Sequence, residues 1–197
     1  MSTATLTAPT APAAVRTGRV DNRATYVSFG LAYVLGHGAA ALSKGADPLL
    51  PLPGWLPMTL LGIGLAAGTV HSTIAALTAQ RGASRPDALS GQLLGLSWAG
   101  GFTALFLVIT GLTSMVDTPD LQTVLWPTGS GLVVGLLYLG EGAVRRNVLH
   151  YCLGAWLALT SSAALLLDTS ALFAVLAIAG GGGYAVAALL EHRRLTA

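Results

Sequence analysis

Four histidines and a glutamate are the side chains of this 197-residue chain best suited to moving protons or ions where water is scarce. Imidazole is the side chain that changes charge near neutral pH without help. His37 stands in Gly36-His37-Gly38, and His71 has Thr69, Ser72 and Thr73 for neighbours. Both fall in apolar stretches, so each is expected to turn toward a helix-bundle interior or a wet path; a packed, hydrogen-bonded histidine is the plainer alternative. Glu141 precedes Arg145 by four residues. That spacing suits an ion pair on one helix face that snorkels to the surface; the sharper alternative is a proton or cation site at the inner mouth. His150 follows Arg145-Arg146 and His192 precedes Arg193-Arg194, so both are placed near the cytoplasmic surface and read as interfacial. No pair of histidines or acids has ligand spacing on one helix, so neither a metal nor a cofactor is expected. The lone Cys152 excludes an intrachain disulfide and a cysteine zinc site, and it is read as a small buried apolar residue.

The elements that must carry these groups follow from composition. The chain is 53% hydrophobic and 9% charged, with a mean hydropathy of +0.69. A soluble domain carries about 25% charged residues, so most of this surface must face something other than water. A formal charge of +2 gives no basis for a nucleic-acid partner; the expected partner is the lipid bilayer. Crossing the hydrocarbon takes roughly 20 apolar residues, and six stretches qualify: 24–42, 57–79, 89–115, 122–143, 147–167 and 169–191. Prolines, glycines or charges punctuate the gaps, among them Pro48, Pro51 and Pro53, then Arg81-Gly82, then Asp117, Pro119 and Asp120, then Arg145-Arg146, then Asp168. The expected fold is therefore an all-α membrane bundle of six transmembrane helices over 24–191. Residues 1–23 are expected to be a disordered cytoplasmic arm, and 192–197 a cytoplasmic tail.

With both ends in the cytoplasm, Arg16, Arg19, Arg23, Arg81, Arg85, Arg145, Arg146, Arg193 and Arg194 all fall on one side and Lys44 alone on the other. Cytoplasmic loops carry such an excess of basic residues. Arginine-rich, lysine-poor usage points to a bacterial plasma membrane.

Small residues recur along single helices: Gly62, Gly64 and Gly68; Gly91, Gly95, Gly100 and Gly101; and Gly180 to Gly183. Small faces let helices approach closely in lipid, which suggests bundle packing and a homo-oligomer. Four consecutive glycines weaken a helix by nearly 1 kcal/mol each relative to alanine, so the last span is expected to bend or unwind there and Gly182 is a candidate pore element. Gly30 to Gly38 resembles Gly135 to Gly142, and Ala99 to Ala104 resembles Gly181 to Val186. That order would suit an inverted repeat of three spans each, a common transporter plan.

Two family resemblances bear on function. Thr128-Gly129-Ser130-Gly131 resembles the nucleophile motif of rhomboid intramembrane proteases, but the sixth span lacks the histidine base of that family. An unassisted serine is a weak nucleophile, so Pro127 and its glycines are read as starting a helix and no enzyme is expected. The six spans, the cytoplasmic termini, His71 with Gly82 eleven residues on, Val148-Leu149-His150-Tyr151, and the glycine-rich last span through Tyr184 to Glu191 resemble the acetate uptake transporter (succinate–acetate permease) family. The chain departs from that family at the entry to the first span, where Asn22-Arg23-Ala24 replaces a longer Asn-Pro motif, and at the Gly82-to-Pro86 loop. The resemblance implies proton-linked uptake of acetate or a similar small carboxylate by an oligomer with a pore in each protomer.

The expected function is a small-solute transporter or channel. The pathway candidates are His37, Thr69, His71, Ser72, Gln92, Ser97, Glu141 and Gly182. A non-transporting assembly or anchoring subunit of a membrane complex is the alternative, and an intramembrane enzyme stands behind both.

Overall fold

The computed structural model describes residues 20–116, 118 and 121–196. The rest of the expected arm, Asp117, Pro119, Asp120 and Ala197 lie outside the described residues. Among those described the chain forms six helices and no strand. Helix α1 runs through Arg23–Leu31, a π-helical turn Ala32–His37, and Gly38–Ser43. Helices α2 (Trp55–Gln80), α3 (Arg85–Val116), α4 (Leu121–Val144) and α5 (Val148–Ala164) follow. Helix α6 spans Thr169–Thr196 and contains a second π-helical turn, Leu176–Gly180. Helices α2, α3, α4 and α6 are long and apolar enough to cross a membrane; α5 is apolar but shorter.

Local chemistry sets the boundaries. The Ser84 hydroxyl accepts the Asp87 N–H at 3.3 Å ahead of α3, Asn147 Oδ1 accepts the His150 N–H at 3.2 Å, and Asp168 Oδ1 accepts the Ala171 N–H at 3.0 Å. Each cap satisfies a donor that the first helical turn leaves free. Gly82 takes φ +80° in the turn after α2, a left-handed conformation that glycine adopts without strain. Pro127 does not start α4. It lies inside the helix, because irregular hydrogen bonding is tolerated in a span where neighbouring groups can satisfy the freed carbonyls.

Neighbouring helices pair antiparallel. Gly68 abuts Phe29, Gly64 abuts Ala32 and Gly36 abuts Leu61 along α1 and α2. Gly142 meets the Tyr151 backbone, and Gly135 meets Ala158 and the Gly154 carbonyl along α4 and α5. Tyr184 meets Gly30 and Gly180 meets the Tyr33 ring along α6 and α1. The helices thus follow one another around the bundle as α2, α1, α6, α5, α4, α3. The outermost members, α2 and α3, come together near their connecting turn, where Gln80 lies against Gly91. Elsewhere these two helices leave large apolar side chains uncovered, including Ile63, Val70 and Ile74 on α2 and Leu96, Leu107 and Met115 on α3. Uncovered apolar surface on this scale needs an apolar surrounding.

The last span stays helical through its four glycines, with the π turn ending on the first of them, Gly180. Gly180 and Gly181 press on Tyr33 and Val34, and Gly183 on the Trp156 ring. Trp156 also donates its indole N–H to the Ala179 carbonyl at 2.7 Å, a backbone acceptor in the widened turn. Both π turns fall in α1 and α6, helices that the suggested repeat pairs with α4 and α3. Cys152, read as buried, lies exposed on α5; a thiol fits an apolar outer face as well as a core.

Candidate functional site

A cavity of about 790 Å³ lies between α1, α2, α3 and α4 and is bounded by two side chains of α6. The π turn of α1 sets its wall. It keeps both Tyr33 and His37 buried on the same side as Gly36, and π turns recur at functional sites for this ability to re-aim side chains. His37, 3% exposed, meets the Tyr33 ring edge-on at 4.8 Å and stacks on Phe173 at 5.9 Å. Lys44, Gln122 and Thr123 mark one end of the cavity, and Phe29, Thr69, Trp98 and Tyr184 the other. The lining is mostly apolar and aromatic, with Ser130 and Thr69 among its few polar groups. Preformed cavities of about 300–1,000 Å³ lined in this way are the common form of small-molecule sites.

Beyond the Tyr184 end the bundle is filled by rings. Tyr184 packs edge-on to Tyr33 with centroids 5.4 Å apart and tilts against Phe29 at 5.8 Å. Trp98 meets Tyr138 at 5.9 Å. These rings belong to the main core cluster, with Tyr26, Leu153 and Leu157, and form a floor under the cavity. Below the floor, toward the chain termini, lies a polar group of different character. The Tyr26 hydroxyl is 2.7 Å from His150 Nδ1, and the His150 ring lies 4.0 Å from that of Tyr138. His150 Nε2 is 3.6 Å from Glu141 Oε2. Arg145 Nε is 2.9 Å from Glu141 Oε1, although its N–H is not aligned for a hydrogen bond.

The pathway candidates thus separate. His37 and Thr69 line the cavity, and Glu141 sits in the polar group beneath it. His71 does not reach the bundle interior: it is exposed, and its Nδ1 lies 3.0 Å from the Ser28 hydroxyl at the edge between α1 and α2. Ser72, Gln92 and Ser97 are exposed on α2 and α3. Gly182 is exposed on α6 with no atom within 4 Å of where a Cβ would stand. Ser130 lines the cavity, but among the described residues no hydrogen bond joins it to a histidine.

No family model, curated protein or solved structure matches this chain.

What the site can do therefore rests on its own groups. Two of them were missed in the sequence. His150, read as interfacial, is 5% exposed, because Asn147 starts α5 so that the first turn aims the ring under Tyr138 and Tyr26. Glu191, placed at the boundary of the tail, is 0% exposed. It accepts the Asn22 N–H at 3.1 Å and two Arg194 bonds at 2.6 and 2.7 Å, while Arg194 also donates to the Val20 carbonyl at 2.6 Å. This clasp joins the two ends of the described chain. Beside it, hydrogen bonds from Arg23 hold the Asp21 carboxyl below its ordinary pKa. The signal for both misses was present only as paired residues far apart in the chain, Tyr26 with His150 and Asn22 with Glu191.

Proposed function

We infer that the chain is a six-span membrane transporter of small organic solutes, with both termini in the cytoplasm and the solute held in the cavity between Lys44 and Tyr184. The observation that carries this reading is a large, ring-lined cavity inside an apolar bundle, stopped at one end by a packed aromatic floor. A carrier exposes its site to one side at a time, and a cavity with a floor suits one such state. The lining favours a weak organic acid. Lys44 at the entrance attracts an anion, and the rings of Trp98, Phe102 and Trp126 suit an apolar body. A cavity of about 790 Å³ accommodates a carboxylate with a short hydrocarbon chain as well as acetate.

Flux into proteoliposomes tests the proposal. Labelled acetate, longer monocarboxylates and a neutral solute such as urea are offered, with empty liposomes as control. Saturable carboxylate uptake is expected. His37→Ala should lower it about tenfold by removing a wall of the site, whereas His71→Ala, off the cavity, should leave it within about twofold; each decade of rate corresponds to about 1.4 kcal/mol. Uptake of no offered solute above the control would overturn the transporter reading. The assembly-subunit alternative draws its support from the bare faces of α2 and α3, where Gly62, Gly95 and Gly100 have nothing packed on them. Under either reading these faces suit helix–helix contact with further copies, which the mass of the purified particle measures.

A further inference from the structure

The polar group beneath the aromatic floor lies outside the lining of the cavity. Its centre is His150, 5% exposed, and its Nε2 is buried without a hydrogen-bond partner among the described residues. Buried polar atoms in native proteins nearly always have a partner, and the exceptions call for an explanation. The atom closest in charge and position is Glu141 Oε2, 3.6 Å away, short of a bond by a small side-chain rotation.

We propose that Glu141 and His150 form a proton-loading site on the terminal side of the floor, one proton passing between Glu141 Oε2 and His150 Nε2.

Every surrounding group fits that exchange. The Glu141 side chain is 22% exposed and that of His150 7%, so the carboxylate meets water and the imidazole lies inside. Glu141 takes a proton from the terminal side and gives it to Nε2 while Nδ1–H is donated to Tyr26. The products are a carboxylate and an imidazolium, and charge is conserved in the step. The Tyr26 hydroxyl, 2.7 Å from Nδ1, can either donate or accept. It accepts Nδ1–H both in the neutral tautomer, whose Nε2 is free to take a proton, and in the imidazolium, so the transfer strands neither partner. The other charged and titratable groups around the site are Tyr138 and Arg145 from α4, and Tyr184, Glu191 and Arg194 from α6, which face it through Tyr26. No titratable side chain of α2 or α3 touches either group among the described residues.

The link to the cavity is short. A charged imidazole attracts an aromatic face, and the Tyr138 ring lies 4.0 Å from His150 on one side while packing on Trp98 on the other. Loading the site thus tightens the floor, and unloading it relaxes the rings that close the cavity. This coupling rests on the transporter reading, whereas the proton site does not.

Two measurements separate them. In proteoliposomes an inward proton gradient should raise wild-type carboxylate uptake several-fold. Glu141→Gln and His150→Gln should keep solute exchange without a gradient and lose that stimulation; variants that accumulate solute like the wild type overturn the coupling. Should the wild type move no solute, the transporter reading fails, and the site is judged by the imidazole nitrogen signals of His150 in the purified full-length protein. The Nε2 signal of the wild type should carry the signature of a proton shared with a carboxylate, and Glu141→Gln should remove it. If that variant does not fold, Tyr26→Phe must shift the Nδ1 signal, whose bonding partner it removes. Nitrogen signals unchanged from wild type overturn the proton site.

Discussion

Glu191 shows how far one side chain's environment can depart from its local sequence. Followed by His192, Arg193 and Arg194, it reads as a surface residue of a charged helix end, yet it is wholly buried and accepts from three nitrogens of the two chain ends, Asn22 N and Arg194 Nε and Nη2. Breaking a buried ion pair by removing one partner costs roughly 3–5 kcal/mol, and less here because the Arg194 side chain keeps 23% exposure. Glu191→Ala should therefore lower stability by about 2–3 kcal/mol, with Glu191→Gln falling between it and wild type because the amide oxygen still accepts the Asn22 N–H. Thermal unfolding in detergent measures this, and an unchanged midpoint in the alanine variant would remove the clasp from the account. The same contrast applies to His150. Its neighbours in sequence are basic and polar, whereas its neighbours in space are Tyr26 and Tyr138 from two other helices. Long-range pairs of this kind leave no periodic trace along the chain.

Element boundaries were more legible than the roles of the residues within them. The expected stretches 24–42, 57–79, 89–115 and 122–143 lie within one to four residues of the ends of α1 to α4, because apolar length and breaker residues are local properties. Asp168 and Asn147 cap where their side chains can reach a free N–H, which local sequence also reveals. The glycines were not legible in the same way. Gly135 and Gly182 look equivalent in an Ala/Gly/Leu-rich helix, but a Cβ at Gly135 would stand 2.5 Å from the Ala158 amide nitrogen, and one at Gly182 would meet nothing within 4 Å. Gly135→Val should force α4 from α5 and destabilise by at least about 1–3 kcal/mol, the usual cost of overpacking. Gly182→Ala should be neutral or stabilising by up to about 1 kcal/mol, since alanine favours the helix. Equal effects in the two variants, compared by unfolding in detergent, would contradict this seam. Which face of a helix is crowded depends on its partners. The π turns of α1 and α6 add to the difficulty, since each shifts the helical phase by a residue that a 3.6-residue pattern does not anticipate.

For the whole molecule the governing asymmetry is electrostatic. The antiparallel pairing of the helices gathers Arg23, Arg81, Arg85, Arg145, Arg146, Arg193 and Arg194 at the end that carries the termini, and leaves Lys44 at the other. In a membrane that distribution sets orientation, because basic loops stay on the cytoplasmic side. In the orientation proposed above, the cavity lies toward the outer face and the Glu141–His150 pair toward the cytoplasm. That orientation fixes the direction of the proposed transport, and it is measurable without knowing the solute. Cys152 is the only cysteine, so a Cys152→Ser background makes every introduced thiol unique. Single cysteines at Asp47, in the turn that carries Lys44, and at Ser84, in the turn between Gly82 and Arg85, sit at opposite ends of the bundle. An impermeant thiol reagent added to intact cells should label Asp47→Cys and spare Ser84→Cys until the cells are opened. The reverse pattern would turn the molecule over, placing the cavity on the cytoplasmic side and making export the direction to test. Labelling of both in intact cells would mean mixed orientation, and no fixed order of cavity and proton site could then be assigned.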